Sequence, residues 1–280
     1  MNRLAPETTD YEHLLYEVDA EHVCWLTLNR PEKVNAMNER LIAELRAGLL
    51  RADNDENVNV IVIRGAGKGF CGGHDLEDDI DDDRSSIYSY RLKYIKQFEE
   101  FSTPWQVTKP VIASMHKFAV GKGFELSLFC DLSIATSDTL MGYSEVRFGG
   151  TAHCMLMPWM VHMKTAKELL LTGRNVLAPE AKEMGLVNVV VAPEDLEEVT
   201  RRKATLMARI PRDMQRVHKM YLNRVYEMQG LKSATDYYLE LVAIMGQSPV
   251  PEGAEFTRVT AERGLRAALK ESNARYEGLE

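Results

Sequence analysis

Along the first two thirds of the chain apolar residues come in short, β-branched runs separated by polar turns; beyond that, long stretches of helical spacing take over. Leu14 to Val18 and Val23 to Leu28 flank the turn Asp19-Ala-Glu-His and read as an opening hairpin. Asn29-Arg-Pro-Glu-Lys breaks the pattern. Asn38 then stands where its side chain caps a helix whose Leu41, Ile42, Leu45 and Leu49 recur at helical spacing. Val58 to Ile63, Val111 to Met115 and Leu132 to Ala135 are apolar runs of the right length for buried strands. Tyr88, Leu92, Ile95 and Phe98 predict one helical face up to Pro104, Ala166 to Leu171 a helix that Gly173 ends, and Pro179 to Gly185 a shorter one. From Pro193 strand signals vanish, and helices are expected over 196–210, 212–229, 233–245 and from Pro251 to the end. No repeat of fixed period is present. Alternating strands and helices followed by helices alone predict an α/β fold, divided into a core over 1–205 and a helical region over 206–280.

Two glycine-rich turns interrupt this pattern where chemistry is best placed. The first, Gly65-Ala-Gly-Lys-Gly-Phe-Cys-Gly-Gly-His-Asp, carries five glycines that let the backbone turn sharply and approach a ligand closely. It is not a phosphate loop, because Lys68 is followed by Gly69 and not by Ser or Thr. The second follows the run 111–115, where Gly121 and Gly123 lead into a mostly apolar helix start. Glu125 falls in that helix's first turn between Phe124 and Leu126, where a carboxylate gains from the helix dipole but loses most of its water. Glu145 comes 20 residues later, in Met141-Gly-Tyr-Ser-Glu-Val-Arg. If the strands over 111–115 and 132–135 are neighbours, both carboxyls face one cavity; either glutamate alone reads as a cap or a surface charge.

Composition narrows the partners. A chain of 280 residues, 45% apolar and 27% charged, holds one large domain or a domain with an appendage. A net charge of −8 argues against a nucleic-acid partner, which needs clustered Lys and Arg. Cys24, Cys71, Cys130 and Cys154 are far apart with no C-x-x-C pair, the pattern of buried thiols in a reducing compartment. The N-terminus lacks an apolar signal core and no apolar run of about 18 residues occurs, so the expectation is a cytoplasmic protein without a membrane partner. Asp75 to Asp83 is acidic except at Leu76 and Ile80, but it lacks the order of a calcium loop and is expected to be a solvated segment; no metal is assigned.

Taken together, the motifs resemble the crotonase (enoyl-CoA hydratase/isomerase) superfamily over nearly the whole chain. Asn29-Arg-Pro-Glu-Lys-Val-Asn-Ala-Met-Asn is similar to the family's opening segment, Phe70-Cys-Gly-Gly-His-Asp-Leu to its first glycine loop, and Val120-Gly-Lys-Gly-Phe-Glu-Leu-Ser to its second. Leu169-Leu-Leu-Thr-Gly-Arg, Ala178 to Glu183 and Gly185-Leu-Val-Asn follow in the family's order. The resemblance implies a spiral of repeated β-β-α turns, a C-terminal helical region that builds trimers or dimers of trimers, and an acyl-CoA ligand with no separate cofactor. It implies an oxyanion hole of two backbone N–H groups, at His74 and Lys122, with side-chain identity there secondary. It places Lys33, Val34, Ala36, Gly73, Asp75, Leu76, Gly121 and Gly123 around the substrate, and Glu125 and Glu145 on the two catalytic glutamates. Hydration of a conjugated thioester needs one group to take a proton from water and another to protonate the α-carbon. Two carboxyls whose pKa values are raised or split by burial and repulsion divide that work.

The expected activity is therefore an enoyl-CoA hydratase. The runner-up readings are an isomerase, thioester hydrolase or carbon–carbon lyase of the same superfamily, and a non-catalytic crotonase-like binding protein. One stretch departs from the family pattern: Gly149-Gly-Thr-Ala-His-Cys-Met-Leu-Met-Pro stands where hydratases carry a Pro-Gly-rich helix entry. His153 within it has two readings, an added acid or base, and a packing or helix-end residue. Met155, Met157, Trp159 and Met160 likewise read either as a roomy apolar wall or as core.

Overall fold

The computed structural model describes residues 10–76, 86–151, 156–248 and 250–279. The opening hairpin forms as expected, β1 (Leu14–Val18) and β2 (Val23–Leu28) pairing antiparallel. Asn38 caps α1 (Glu39–Asn54), its side-chain oxygen accepting from the Leu41 N–H at 2.9 Å. β3 (Val60–Gly65), α2 (Ile87–Phe101) and the single turn α3 (Thr103–Gln106) lead to β4 (Val111–Met115), β5 (Phe118–Val120) and α4 (Lys122–Phe129). Next come β6 (Leu132–Thr136), β7 (Leu140–Gly142), a 3-10 turn (Ser144–Phe148), α5 (Met157–Met160), α6 (Met163–Thr172), β8 (Val176–Leu177), α7 (Ala178–Glu183) and β9 (Val189–Val191). The chain then runs helically through α8 (Leu196–Ala208), α9 (Arg212–Met228), α10 (Leu231–Met245), α11 (Pro251–Arg263) and α12 (Leu265–Ala274).

The strands sort into two sheets. One has the order β1-β2-β3-β4-β6-β9, parallel except for the first pair; the other has the order β5-β7-β8. Successive strands alternate between them, β4 then β5, β6 then β7, which is the expected spiral. Because β4 and β6 are neighbours, the segments leaving their ends are neighbours too.

Period-two alternation decides what each side of the large sheet meets. Ile61 and Ile63 point into the main core with Leu41, Leu45 and Leu49 of α1, whereas Val60 and Val62 point to the opposite cluster with Ala204 and Ala208 of α8. A sheet covered on both faces needs no polar face, so its strands read as unbroken apolar runs.

Two expectations shift. The inward face of α2 is Tyr90, Gln97 and Phe101 with Tyr94 and Phe98 half-buried, while Tyr88 and Leu92 are 67% and 46% exposed. The helix has apolar residues on two sides, and close contact with α10, where Tyr90 lies against Gly246, selects the other one. The pattern from Pro251 onward is two helices and not one, because Gly264 (φ +83°, ψ 159°) leaves helical geometry between them. The pair folds back on itself over Phe256, Val259 and Ala268.

Candidate active site

The two glycine turns meet at the start of α4. The Cys71 N–H donates to the Phe118 carbonyl at 2.8 Å and the Val120 N–H to the Cys71 carbonyl at 3.2 Å, so the first turn lies beside β5. A β-carbon on Gly123 would stand 2.6 Å from the Cys71 carbonyl oxygen; only glycine allows this approach. Gly73, at φ +105°, adopts a conformation that favours glycine, and the Met37 N–H donates to its carbonyl at 2.8 Å. The Asp75 N–H donates back to the Met37 carbonyl at 3.0 Å. In a parallel bridge of this kind the middle residue, His74, directs its own N–H to the side opposite Met37.

The first hydrogen bond of α4 runs from the Glu125 N–H to the Gly121 carbonyl at 3.0 Å. The N–H groups of Lys122, Gly123 and Phe124 precede that bond and have no acceptor within the helix. His74 and Lys122 also meet through their side chains, with 2.7 Å between the lysine Nζ and the imidazole Nδ1. Lys122 is 3% exposed. With an ammonium donating, Nδ1 accepts and the ring proton sits on Nε2.

The two glutamates arrive from adjacent turns of the spiral. Glu125 is 1% exposed in the first turn of α4. Glu145 comes from the 3-10 turn after β7, and its carboxylate lies against Gly121: a β-carbon on that glycine would stand 3.3 Å from Oε2 and 3.4 Å from Oε1. Two contacts lock the segments together. The Gly121 N–H donates to the Gly142 carbonyl at 2.8 Å, and the rings of Phe124 and Tyr143 are 5.1 Å apart. Part of Glu145 reaches solvent, yet loss of water around its carboxyl pushes the pKa up to about 7, against the opposing pulls of a backbone hydrogen bond and the Lys122 charge.

Lys33, Val34 and Ala36 come beside the first glycine turn, where the Gly72 N–H donates to the Val34 carbonyl at 2.8 Å. Val34 and Asn35 both have left-handed backbone, φ +52° and +55°. Asn35, fully buried and missed in the sequence reading, holds the bend: its side chain accepts from the Arg30 N–H and donates to the carbonyls of Ala66 and Gly69. The available signal was an Asn after a Pro-led turn, since Asn tolerates this conformation better than most residues. Asp75 faces inward. Its carboxylate pairs with Arg30 at 2.8 Å, a strut for the loop, whereas Leu76 is 37% exposed. Cys71 is fully buried and its thiol is pushed up to about 12 by loss of water, the state of a packing residue and not of a nucleophile. Cys24 and Cys130 are also buried free thiols. Cys154, His153, Met155 and most of the acidic segment after Leu76 lie outside the described residues.

The chain matches the enoyl-CoA hydratase/isomerase family over residues 19–247. It belongs to that family. It is similar to an enoyl-CoA hydratase/isomerase from Xanthobacter autotrophicus, 34% identical with a TM-score of 0.91 over 96% of this chain and 100% of that one. An enoyl-CoA hydratase from Mycobacterium smegmatis is 28% identical with a TM-score of 0.87 over 95% and 94%. By sequence the chain is also 32% identical to the (E)-benzylidenesuccinyl-CoA hydratase of Thauera aromatica, over 68% of this chain and 74% of the relative. The chemistry of the crotonase fold here is thus of the acyl-CoA hydratase/isomerase class.

Within this crotonase frame a narrow cavity opens beside α4. Among the described residues its lining is Ile42 of α1, Tyr94, Gln97, Phe98 and Phe101 of α2, and Lys122. Of the methionine-rich stretch, the described Met157, Trp159 and Met160 do not contribute to that lining: Met157 is 1% exposed in the main core, and Trp159 and Met160 pack against the same core. Among the described residues no helix is long and apolar enough to cross a membrane.

Proposed function

We propose that the chain adds water across the 2,3 double bond of an acyl-CoA thioester. The observation that carries this reading is the place of Gly121, whose Cα abuts the Glu145 carboxylate while its carbonyl accepts the Glu125 N–H. Both glutamates therefore meet one glycine at the N-terminus of α4, Glu145 through its carboxylate and Glu125 through its backbone. In the proposed reaction the N–H groups of His74 and Lys122 hold the thioester oxygen, and the fixed dipoles stabilise the enolate without reorganising. Glu145, whose pKa is raised to about 7, is protonated in a large share of molecules at neutral pH and delivers that proton to the α-carbon; Glu125 takes the proton from water. Lys33, Val34, Ala36 and Leu76 border the CoA portion, with Gly73, Gly121 and Gly123 giving the backbone close approach.

The assembly we propose is a homotrimer or a dimer of trimers formed by second copies of the chain. Supporting it, α9 buries Lys219 but leaves Met220, Tyr221 and Met228 at 61%, 66% and 78% exposed, and α10 leaves Tyr237 at 66%. Apolar surface on this scale calls for cover. The test of the reaction is loss of the conjugated-thioester absorbance of crotonyl-CoA, with the hydroxyacyl product identified by a mass gain of one water. Release of free thiol instead would make the chain a hydrolase, and a shifted double bond without mass change an isomerase.

A further inference from the structure

The two proposed oxyanion donors stand at matching places on two parallel segments. Cys71 and Ala119 form an isolated parallel bridge, closed by the Cys71 N–H on the Phe118 carbonyl and the Val120 N–H on the Cys71 carbonyl. Three residues further along each segment come His74 and Lys122. The residue just before each donor is a glycine with positive φ, Gly73 at +105° and Gly121 at +51°. Glycine is the least stiff backbone a chain offers, so the bridge by itself sets the distance between the donors loosely. Beyond it the side chains of those same two residues meet, with 2.7 Å between the Lys122 Nζ and the His74 Nδ1. Packing alone does not account for a buried lysine there. Burying an ammonium costs more than burying an apolar side chain of similar length, and what the charge brings is a directional hydrogen bond to the imidazole.

We propose that the Lys122–His74 side-chain contact is a strut that sets the spacing of the two backbone N–H donors, which makes both side chains positioning residues for the thioester oxygen. The inference rests on the oxyanion-hole reading of the two glycine turns and deepens it. Each side chain acts through its own main chain. His74 is tied on its far side to Met37 by a second parallel bridge, and Lys122 opens α4, so the strut joins two segments that are each anchored elsewhere. A donor is aimed well only if both anchors keep their distance, and misplacement by a fraction of an ångström already costs turnover.

The experiment reads the thioester carbonyl directly, by difference infrared spectra of bound butanoyl-CoA isotopically labelled at the carbonyl carbon, beside turnover of crotonyl-CoA and thermal unfolding. Butanoyl-CoA binds without reacting, so its spectrum is independent of the reaction. In wild type the carbonyl band should move to lower frequency on binding, the mark of donors on its oxygen. Lys122→Met and His74→Ala should each lose about half of that shift and about fivefold in kcat, with KM changed by less than about twofold. The variant carrying both changes should also lose about fivefold, because the second removes nothing that the first left. His74→Asn, whose Oδ1 accepts where the imidazole Nδ1 does, should regain most of what His74→Ala loses. Lys122→Met should unfold no earlier than wild type, since it exchanges a buried charge for an apolar stem. Losses that multiply in the double variant, or a full carbonyl shift in Lys122→Met, overturn the strut and leave the hydratase reading standing. A fall in Tm that accounts for the lost turnover makes the contact a stability element and overturns the strut as well. A carbonyl that shifts in wild type and less in the variants, in a protein that hydrates no enoyl thioester, upholds the strut and overturns the hydratase reading. Bound butanoyl-CoA with no shift in wild type, or no binding, overturns the oxyanion hole and the strut with it.

Discussion

Gly121 and Glu145 pack closely: a β-carbon on the glycine would lie 3.3 Å from one carboxylate oxygen and 3.4 Å from the other, so the carboxylate would have to give by a few tenths of an ångström. The same residue has φ +51° and ψ −123°, a backbone state that L side chains rarely adopt. Gly121→Ala should therefore move the carboxylate and the start of α4 together. A shift of a few tenths of an ångström, short of the roughly 1 Å that costs about a hundredfold, should lower turnover by about tenfold. Steady-state kinetics on crotonyl-CoA, with folding followed by circular dichroism, checks it; a folded Gly121→Ala protein with wild-type kcat would contradict the shared-glycine site.

Removing either carboxyl tests the division of labour. Glu125→Gln and Glu145→Gln should each lower kcat by roughly two to four orders of magnitude while leaving CoA affinity nearly intact. Near-normal turnover in either variant would reject the two-glutamate mechanism.

The raised pKa of Glu145 has a sign. Its ordinary value is 4.5 and its folded value about 7, so folding holds a proton on it between those pH values. The stabilisation is full below pH 4.5 and is lost as pH rises through 7. The unfolding free energy of wild type relative to Glu145→Gln should fall by on the order of 3 kcal/mol between pH 4 and pH 8. As the group that donates a proton, Glu145 should also give kcat/KM a limb that falls above pH 7. Parallel stability curves for the two proteins would mean that the carboxyl is solvated and its pKa ordinary.

The oxyanion hole is expected to tolerate side-chain change better than backbone change. Gly123→Val would force a β-carbon to 2.6 Å from the Cys71 carbonyl, and Gly73→Val would strain a residue at φ +105°. Either should misaim a donor worth roughly 3 kcal/mol of transition-state stabilisation. His74→Ala should lose less than about tenfold in kcat on a short enoyl-CoA, since the N–H remains. If His74→Ala abolished turnover while the glycine variants stayed active, the imidazole would be the catalyst.

The C-terminal helices bear on the same site. Phe148, in the turn that carries Glu145, stacks on Phe256 of α11 with centroids 4.2 Å apart, and Arg147 lies over the Tyr276 ring at 4.4 Å. Deleting residues 252–280 should uncover apolar surface and unseat that turn, giving aggregated or monomeric, inactive protein. Sedimentation velocity and activity on the truncated chain give the answer; a folded, active monomer would refute it.

How far the sequence reached depended on the range of the physics involved. The hairpin, the Asn38 cap, the helix stop at Gly173, the helix start at Pro179 and the order of the glycine turns follow from local rules of period, capping and backbone freedom, which the chain carries in consecutive residues. That Glu125 and Glu145 stand at adjacent turns, and that His74 and Lys122 stand in the two glycine turns, was legible because ordered motifs marked those positions. What α2 buries was not, because a helix with apolar residues on two sides is oriented only by its neighbours, here α10 through Gly246. The inward turn of Asp75 onto Arg30 and the meeting of Lys122 with His74 join residues 45 and 48 positions apart. Such pairs are set by which loops the parallel sheet brings together, and no local pattern encodes that distance. The sequence by itself therefore determined the elements, the family and the chemical groups; only the tertiary structure decided which of those groups touch.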